Sequence, residues 1–165
     1  MSYFKQKDIN VDLLEEILSS EVQVQNPILG YYAQYQLKKT LSDFSPKFLN
    51  DFTEDGDLSV KICGSIKIVE LKMVSKGSLK KGGVHYIKLQ SSNCNFRIGA
   101  GGIGYRTCKY LVGTFDIAAA CTHPIDGKWN FLFLNASHLV QDGRGFWKSV
   151  QKIDKNWRPE ISKAL

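Results

Sequence analysis

The sequence predicts a mixed α/β domain, helices first and then a central β-sheet that carries an antiparallel hairpin. Three observations predict it. The first quarter spaces its apolar residues at helical intervals, residues 58–74 alternate apolar and polar side chains around a Gly64-Ser65 break, and residues 114–121 form an almost wholly apolar run. These are the patterns of amphipathic helices, of a half-buried hairpin and of a strand covered on both faces. With 165 residues, 43% of them apolar, the chain is long enough for one domain with a core of its own. Its parts are N-terminal helices over about 9–45, a sheet over about 56–135 and a helical tail over about 143–165.

The first helix begins at Asn10, with Leu13, Leu14, Ile17 and Leu18 at helical spacing and acids near its start, where the helix dipole favours them. A second helix follows Asn26-Pro27, with Pro27 in its first turn and Ile28, Leu29, Tyr32, Tyr35 and Leu37 as core contacts. Phe44-Ser45-Pro46 ends it. Residues 58–63 and 66–74 are the hairpin strands, residues 75–83 a loop rich in Lys, Gly and Ser, and residues 84–90 a third strand. Residues 114–121 and 129–134 supply two more strands, separated by an Ile125-Asp126-Gly127 turn. Asp116, at the start of the apolar strand, reads as a capping or loop-anchoring acid.

The hairpin carries the chemistry. Alternate side chains of a strand share a face, so Glu70 and Lys72 point one way while Val69, Leu71 and Met73 point the other. With Gly64-Ser65 as a two-residue turn, Cys63 faces Ile66, Ser59 faces Glu70 and Asp57 faces Lys72, so Asp57, Glu70 and Lys72 cluster on one face. An acid and a lysine two apart on a strand are commonly a solvated ion pair. Here Ile66 and Ile68 share their face, which implies partial burial, and buried charges need partners or a metal. Two carboxylates can hold Mg²⁺, and a neighbouring lysine can orient a water or steady a phosphate, the minimal set for cutting a phosphodiester.

Asp57 followed by Glu70-Leu71-Lys72 on the second strand of a hairpin resembles the core motif of the PD-(D/E)XK nuclease superfamily, the restriction-endonuclease-like fold. Gly56 stands where that motif has proline, and Asp55 is a rival for the first metal ligand. The resemblance implies a metal-dependent endonuclease of restriction or homing type acting on double-stranded DNA. Asp57 and Glu70 would bind Mg²⁺, for which Mn²⁺ can substitute, Lys72 would help activate the attacking water, and Gln90 would support the site. A double-strand break would take a homodimer or higher homo-oligomer, because a single site cuts one strand.

Charge agrees with a polyanionic partner: the formal net charge is +6. Lys76, Lys80, Lys81, Lys88, Arg97, Arg106 and Lys109 lie beyond the motif strand with no acid among them, which makes them the candidate DNA-binding residues. The same fold without catalysis, a DNA-binding module, is the first alternative. A weaker one is a nucleotide-cofactor enzyme. Residues 99–104 satisfy GxGxxG and a helix could follow at 105–111, but the preceding stretch is too polar for a buried parallel strand. His85, His123 and His138 are too dispersed for a zinc site and lack a nucleophile motif. The cysteines, at 63, 94, 108 and 121, lack metal spacing and read as reduced thiols. No long apolar span or signal peptide is present, so a cytoplasmic protein without a membrane partner is expected.

Overall fold

The computed structural model describes residues 10–49, 56–75, 84–90, 95–98 and 104–165. Asn10 opens helix α1 (Val11–Ser20): its Oδ1 accepts the N–H groups of Asp12 at 2.9 Å and Leu13 at 3.1 Å, two donors that the first turn leaves without partners. Helix α2 (Val22–Thr40) starts earlier than its proline predicts, and Pro27 lies inside it rather than in its first turn. The interior proline removes a backbone bond to the carbonyl of Gln23, an exposed residue whose carbonyl water can serve instead.

The buried face of α2 differs in part from expectation, with Leu37 buried as predicted. Ala33, Leu37 and Leu41, four apart, turn to the sheet, whereas Ile28, Tyr32 and Tyr35 are exposed. The tyrosines pack at the rim instead, Tyr32 against Trp129 with ring centroids 4.8 Å apart and Tyr35 against Phe48 at 4.9 Å.

The described strands are β1 (Lys47–Phe48), β2 (Leu58–Ile62), β3 (Ser65–Met73), β4 (His85–Lys88), β5 (Asn95–Ile98), β6 (Gly104–Thr107), β7 (Ile117–Cys121), β8 (Phe131–Asn135) and β9 (Val150–Ile153). Five of them form a mixed sheet in the order β1-β2-β3-β7-β8. β3 and β7 run parallel, and the other neighbours are antiparallel. β7 is buried along its whole length, as its composition predicts. One core lies between the sheet and α2, around Leu37, Leu58, Val69, Ile117 and Phe133. A second lies on the opposite face, around Ile87, Phe115, Ala118, Trp147 and Trp157.

The β2–β3 hairpin exists, with a corrected register. Ile62 pairs with Ser65 and Leu58 with Val69, so the turn residues are Cys63 and Gly64, not Gly64 and Ser65. Both have positive φ, 49° and 83°, the geometry whose twist matches that of the flanking strands. The shift moves each pairing by two residues, so Ser59 faces Ile68 and the register carries Asp57 level with Glu70 instead of Lys72. A two-residue shift preserves which face each side chain takes, whereas a one-residue slip would have reversed it.

The second half differs in part. Residues 104–107 form β6, paired with β5 as a hairpin, so the helix that the weaker nucleotide-cofactor alternative would need there is replaced by a strand, and with it goes the N-terminus on which a pyrophosphate would rest. The tail contains strand β9 and a single 3₁₀ turn at Ile161–Ala164, not one or two helices; β9 pairs with β4, and Gln151 on it is buried, bonded to the backbone of Val140 and Lys148. The Ile125-Asp126-Gly127 turn is the end of a short helix, α3 (His123–Asp126). Of the cysteines, Cys63 in the turn and Cys121 in the core are free thiols as expected, Cys108 is disulfide-bonded and corrects the expectation, and Cys94 lies outside the described residues. Asp116 anchors as expected, its Oδ2 accepting the Ile68 N–H at 2.8 Å while its backbone N–H bonds the Ile68 carbonyl at 2.9 Å. No helix among the described residues is long and apolar enough to cross a membrane.

Candidate active site

The site forms where β2 stops and β3 continues. Val69 accepts the Asp57 N–H at 2.9 Å, and Leu71 presents the next N–H on that edge of β3. Among the described residues no strand backbone meets it there. Asp57 Oδ2 accepts it at 2.8 Å, so a carboxylate takes the place that a continuing strand would fill. From the helix layer Gln34 Nε2 donates to Asp57 Oδ1 at 2.6 Å. Asp57 is thus held near the plane of the sheet by both oxygens, whereas the sequence pattern placed it wholly on the face of Glu70 and Lys72.

Gly56 makes that approach possible. Its φ is +83°, and a Cβ would stand 2.9 Å from Ile68 Cγ2 and 3.0 Å from the Val69 carbonyl oxygen. Proline, fixed near φ −65°, would not fit this backbone. Gly56→Ala should therefore destabilise the fold by roughly 1–3 kcal/mol and displace Asp57. Urea denaturation measures the first effect, and an unchanged midpoint would show that the backbone yields without cost.

Glu70 and Lys72 rise from β3 into the second layer, beside Ala118 and Ala120 of β7. These small neighbours leave room for two long side chains and for the ring of Tyr110. Glu70 is only 2% exposed. Its Oε1 pairs with Lys72 Nζ and accepts the Tyr110 hydroxyl at 2.6 Å, while Lys72 Nζ donates to Tyr110 Oη at 3.3 Å. Phe115 meets the Tyr110 ring edge-on, with centroids 5.6 Å apart. Carboxylate, ammonium and phenol therefore satisfy one another in a closed triangle.

Burial pushes the Asp57 carboxyl up to about 7, and the negative charge of Glu70 adds to the effect; Lys72 and the two hydrogen bonds oppose it. For Lys72, burial acts against the charge, but Glu70 first, then Tyr110 and Asp57, hold the ammonium above the ordinary lysine range. Burial and Glu70 likewise raise the Tyr110 phenol. Lys72 is thus a charged donor at neutral pH, not a base. Two carboxylates thus stand beside one lysine, and Asp57 retains a proton near neutrality because it is buried first and because Glu70 is charged second.

That imbalance fits a divalent cation. Hard carboxylate oxygens suit Mg²⁺, and one or two carboxylates with water and phosphate oxygens are its usual surroundings. Among the described residues no group of three His, Cys, Asp or Glu side chains is placed to hold a metal ion, so Asp57 and Glu70 would be the protein's contribution.

The other predicted residues are less concentrated. Gln90 is exposed beyond the end of β4 and bonds none of the three central side chains. Lys88 is exposed on β4. Lys109 is engaged by Asp142 at 2.7 Å. Arg97 and Arg106 belong to β5 and β6. Asp55, Lys76, Lys80 and Lys81 lie outside the described residues. Sequence reasoning missed Gln34 and Tyr110. Gln34 had one signal, a polar residue adjoining the buried Ala33 on a helix; Tyr110 had none, since its position depends on a contact far along the chain.

No protein-family model and no curated protein matches this chain. Among solved structures it is similar to a bacterial homing endonuclease, I-Ssp6803I, with a TM-score of 0.50 and 16% identity, over 82% of this chain and 80% of that one. The mixed α/β fold that brings Asp57, Glu70 and Lys72 together is therefore shared, at this level, with that protein.

Proposed function

We propose that this protein is a metal-dependent endonuclease of the PD-(D/E)XK type that hydrolyses DNA phosphodiester bonds, in a restriction or homing role. The observation that carries the reading is the meeting of two carboxylates and an ammonium at the gap where β2 ends, with Glu70 buried and Asp57 raised to about 7. The fold likeness and the net charge of +6 support it.

In this reading Asp57 and Glu70 would hold Mg²⁺, which supplies Lewis acidity at the phosphoryl group and favours ionisation of the attacking water. Leu71 and Gln34 orient the Asp57 carboxylate through its two hydrogen bonds. Tyr110 fixes Glu70, and Lys72, kept charged, donates to the water or to the non-bridging oxygens as negative charge develops there. Cutting both strands takes two such sites, so the reading includes a homodimer or higher homo-oligomer, which light scattering measures directly.

Supercoiled plasmid incubated with Mg²⁺ or Mn²⁺ should be nicked or linearised, and chelation should stop the reaction. Intact plasmid under both metals would overturn the reading. One observation favours the second reading, a DNA-binding module without catalysis: Glu70, Lys72 and Tyr110 already satisfy one another without a metal. Retention of DNA without cutting would select it.

A further inference from the structure

The β4–β9 ribbon has two unlike faces. Ile87, Leu89 and Gln151 are buried beneath it, whereas Lys88, Val150 and Lys152 are exposed on the other side, with Tyr86 half-buried among them. Tyr86 pairs directly with Lys152, and Lys88 with Val150, so two lysines sit diagonally across the ribbon and none of these four residues is acidic. The ribbon is also tied to the site strand. Val74 of that strand bridges to Ile87, and the Ser75 N–H donates to the Tyr86 carbonyl at 2.9 Å, only a few residues beyond Lys72.

We propose that this outward face docks duplex DNA, with Lys88 and Lys152 on backbone phosphates and Val150 and Tyr86 turned toward the groove. The inference rests on the nuclease reading for its partner and adds the surface that would hold it. Charge complementarity commits the face to DNA: the paired strands put two cations and no acid on it, and Asp154, just beyond β9, has its carboxylate engaged by Asn156, on a chain of net charge +6. Shape agrees, because the major groove, about 12 Å wide, admits a two-stranded β-ribbon. Position agrees as well, because strands advance about 3.3 Å per residue and the bridge at Val74 thus stands within roughly 10 Å of Lys72 along β3. A duplex with a phosphate at Lys72 would pass this face. None of the other DNA-facing candidates predicted from sequence includes Lys152, whose strand was expected to be helix.

The test compares the parent with Lys88→Ala/Lys152→Ala and with a charge-matched control, Lys61→Ala/Lys128→Ala, whose lysines are exposed elsewhere. Binding to a labelled 40-base-pair duplex of mixed sequence is measured in chelator across a salt series. Loss of two phosphate contacts should reduce the slope of log affinity against log salt by about 2 and weaken binding at least tenfold at physiological salt, with the control unchanged. A ribbon variant with the parent's slope overturns the proposal, as does a control that loses as much as the ribbon variant. The outcomes separate from those of the nuclease reading. A parent that cuts plasmid alongside a ribbon variant of unaltered slope removes only the ribbon. A parent that binds the duplex but never cuts removes only catalysis, and a parent that neither binds nor cuts removes both.

Discussion

Glu70→Gln should abolish plasmid cutting, by about 10³-fold or more, and leave the protein folded. The amide keeps the shape of the side chain and its bond with Tyr110, but it withdraws the charge on which metal retention would depend in the nuclease reading. Lys72, 22% exposed, can turn its ammonium toward water once the carboxylate is gone. Lys72→Met is the harsher change for the fold. It leaves a carboxylate that is 2% exposed with Tyr110 as its remaining donor, and removing one partner of a buried pair costs about 3–5 kcal/mol. Cutting should fall by about 10²–10³-fold as well, since a charge-stabilising donor is lost. The double variant Glu70→Gln/Lys72→Met should recover most of the stability and none of the activity. Urea denaturation and plasmid relaxation, run on all three proteins, measure the two effects separately. Parent-like cutting by Glu70→Gln would remove Glu70 from the site, and parent-like stability of Lys72→Met would show that the pair contributes nothing to the fold.

The grouping behind that prediction was legible in the sequence for a specific reason. The turn was misplaced by one residue, onto Gly64-Ser65, because cysteine is a poor candidate for positive φ, yet Cys63 adopts it. The corrected pairing differs by two residues, which preserves face, so Glu70 and Lys72 stayed together with Asp57 nearby, level with Glu70 and not with Lys72. The apolar run at 117–121 announced a central strand for the same kind of reason, since burial on both faces leaves no polar alternation to misread. Elements whose form depends on distant partners were not legible. β9 is a strand because β4 lies beside it, and a four-residue alternation near two tryptophans and a proline does not reveal that partner. The buried face of α2 depended on where the sheet sits, so the small Ala33 faces the core while the larger tyrosines line the rim. Gly56 shows a departure from the motif being structural: proline is absent because the backbone there turns left-handed against the Val69 carbonyl.

Asp57 makes the metal-free protein less stable as pH rises toward neutrality. Its folded carboxyl titrates at about 7 and its unfolded one near 3.8. Between these values the native state keeps a proton that the unfolded state has released, so stability falls with increasing pH across the window and is level in this respect above and below it. The full separation corresponds to on the order of 4 kcal/mol, and partial solvent exposure brings the expected loss to about 2–4 kcal/mol. Asp57→Asn should remove this component, so the difference in unfolding free energy between variant and parent should grow from pH 4 to pH 7 and then level off. In the nuclease reading a divalent cation would bind the ionised carboxylates and so compete with the proton. Mg²⁺ should therefore raise the melting temperature of the parent at pH 8 far more than at pH 5, and should raise that of Asp57→Asn at neither. Parallel stability profiles for parent and variant between pH 4 and 7 would show that Asp57 is not the strained carboxylate. A Mg²⁺ effect that survives Asp57→Asn would instead leave the titration intact and remove Asp57 from the metal site. Burial of the Asp57 carboxyl, with Glu70 beside it, holds the proton that a cation would have to displace, so the pH range in which the empty site is least stable should also be the range in which a cation binds best.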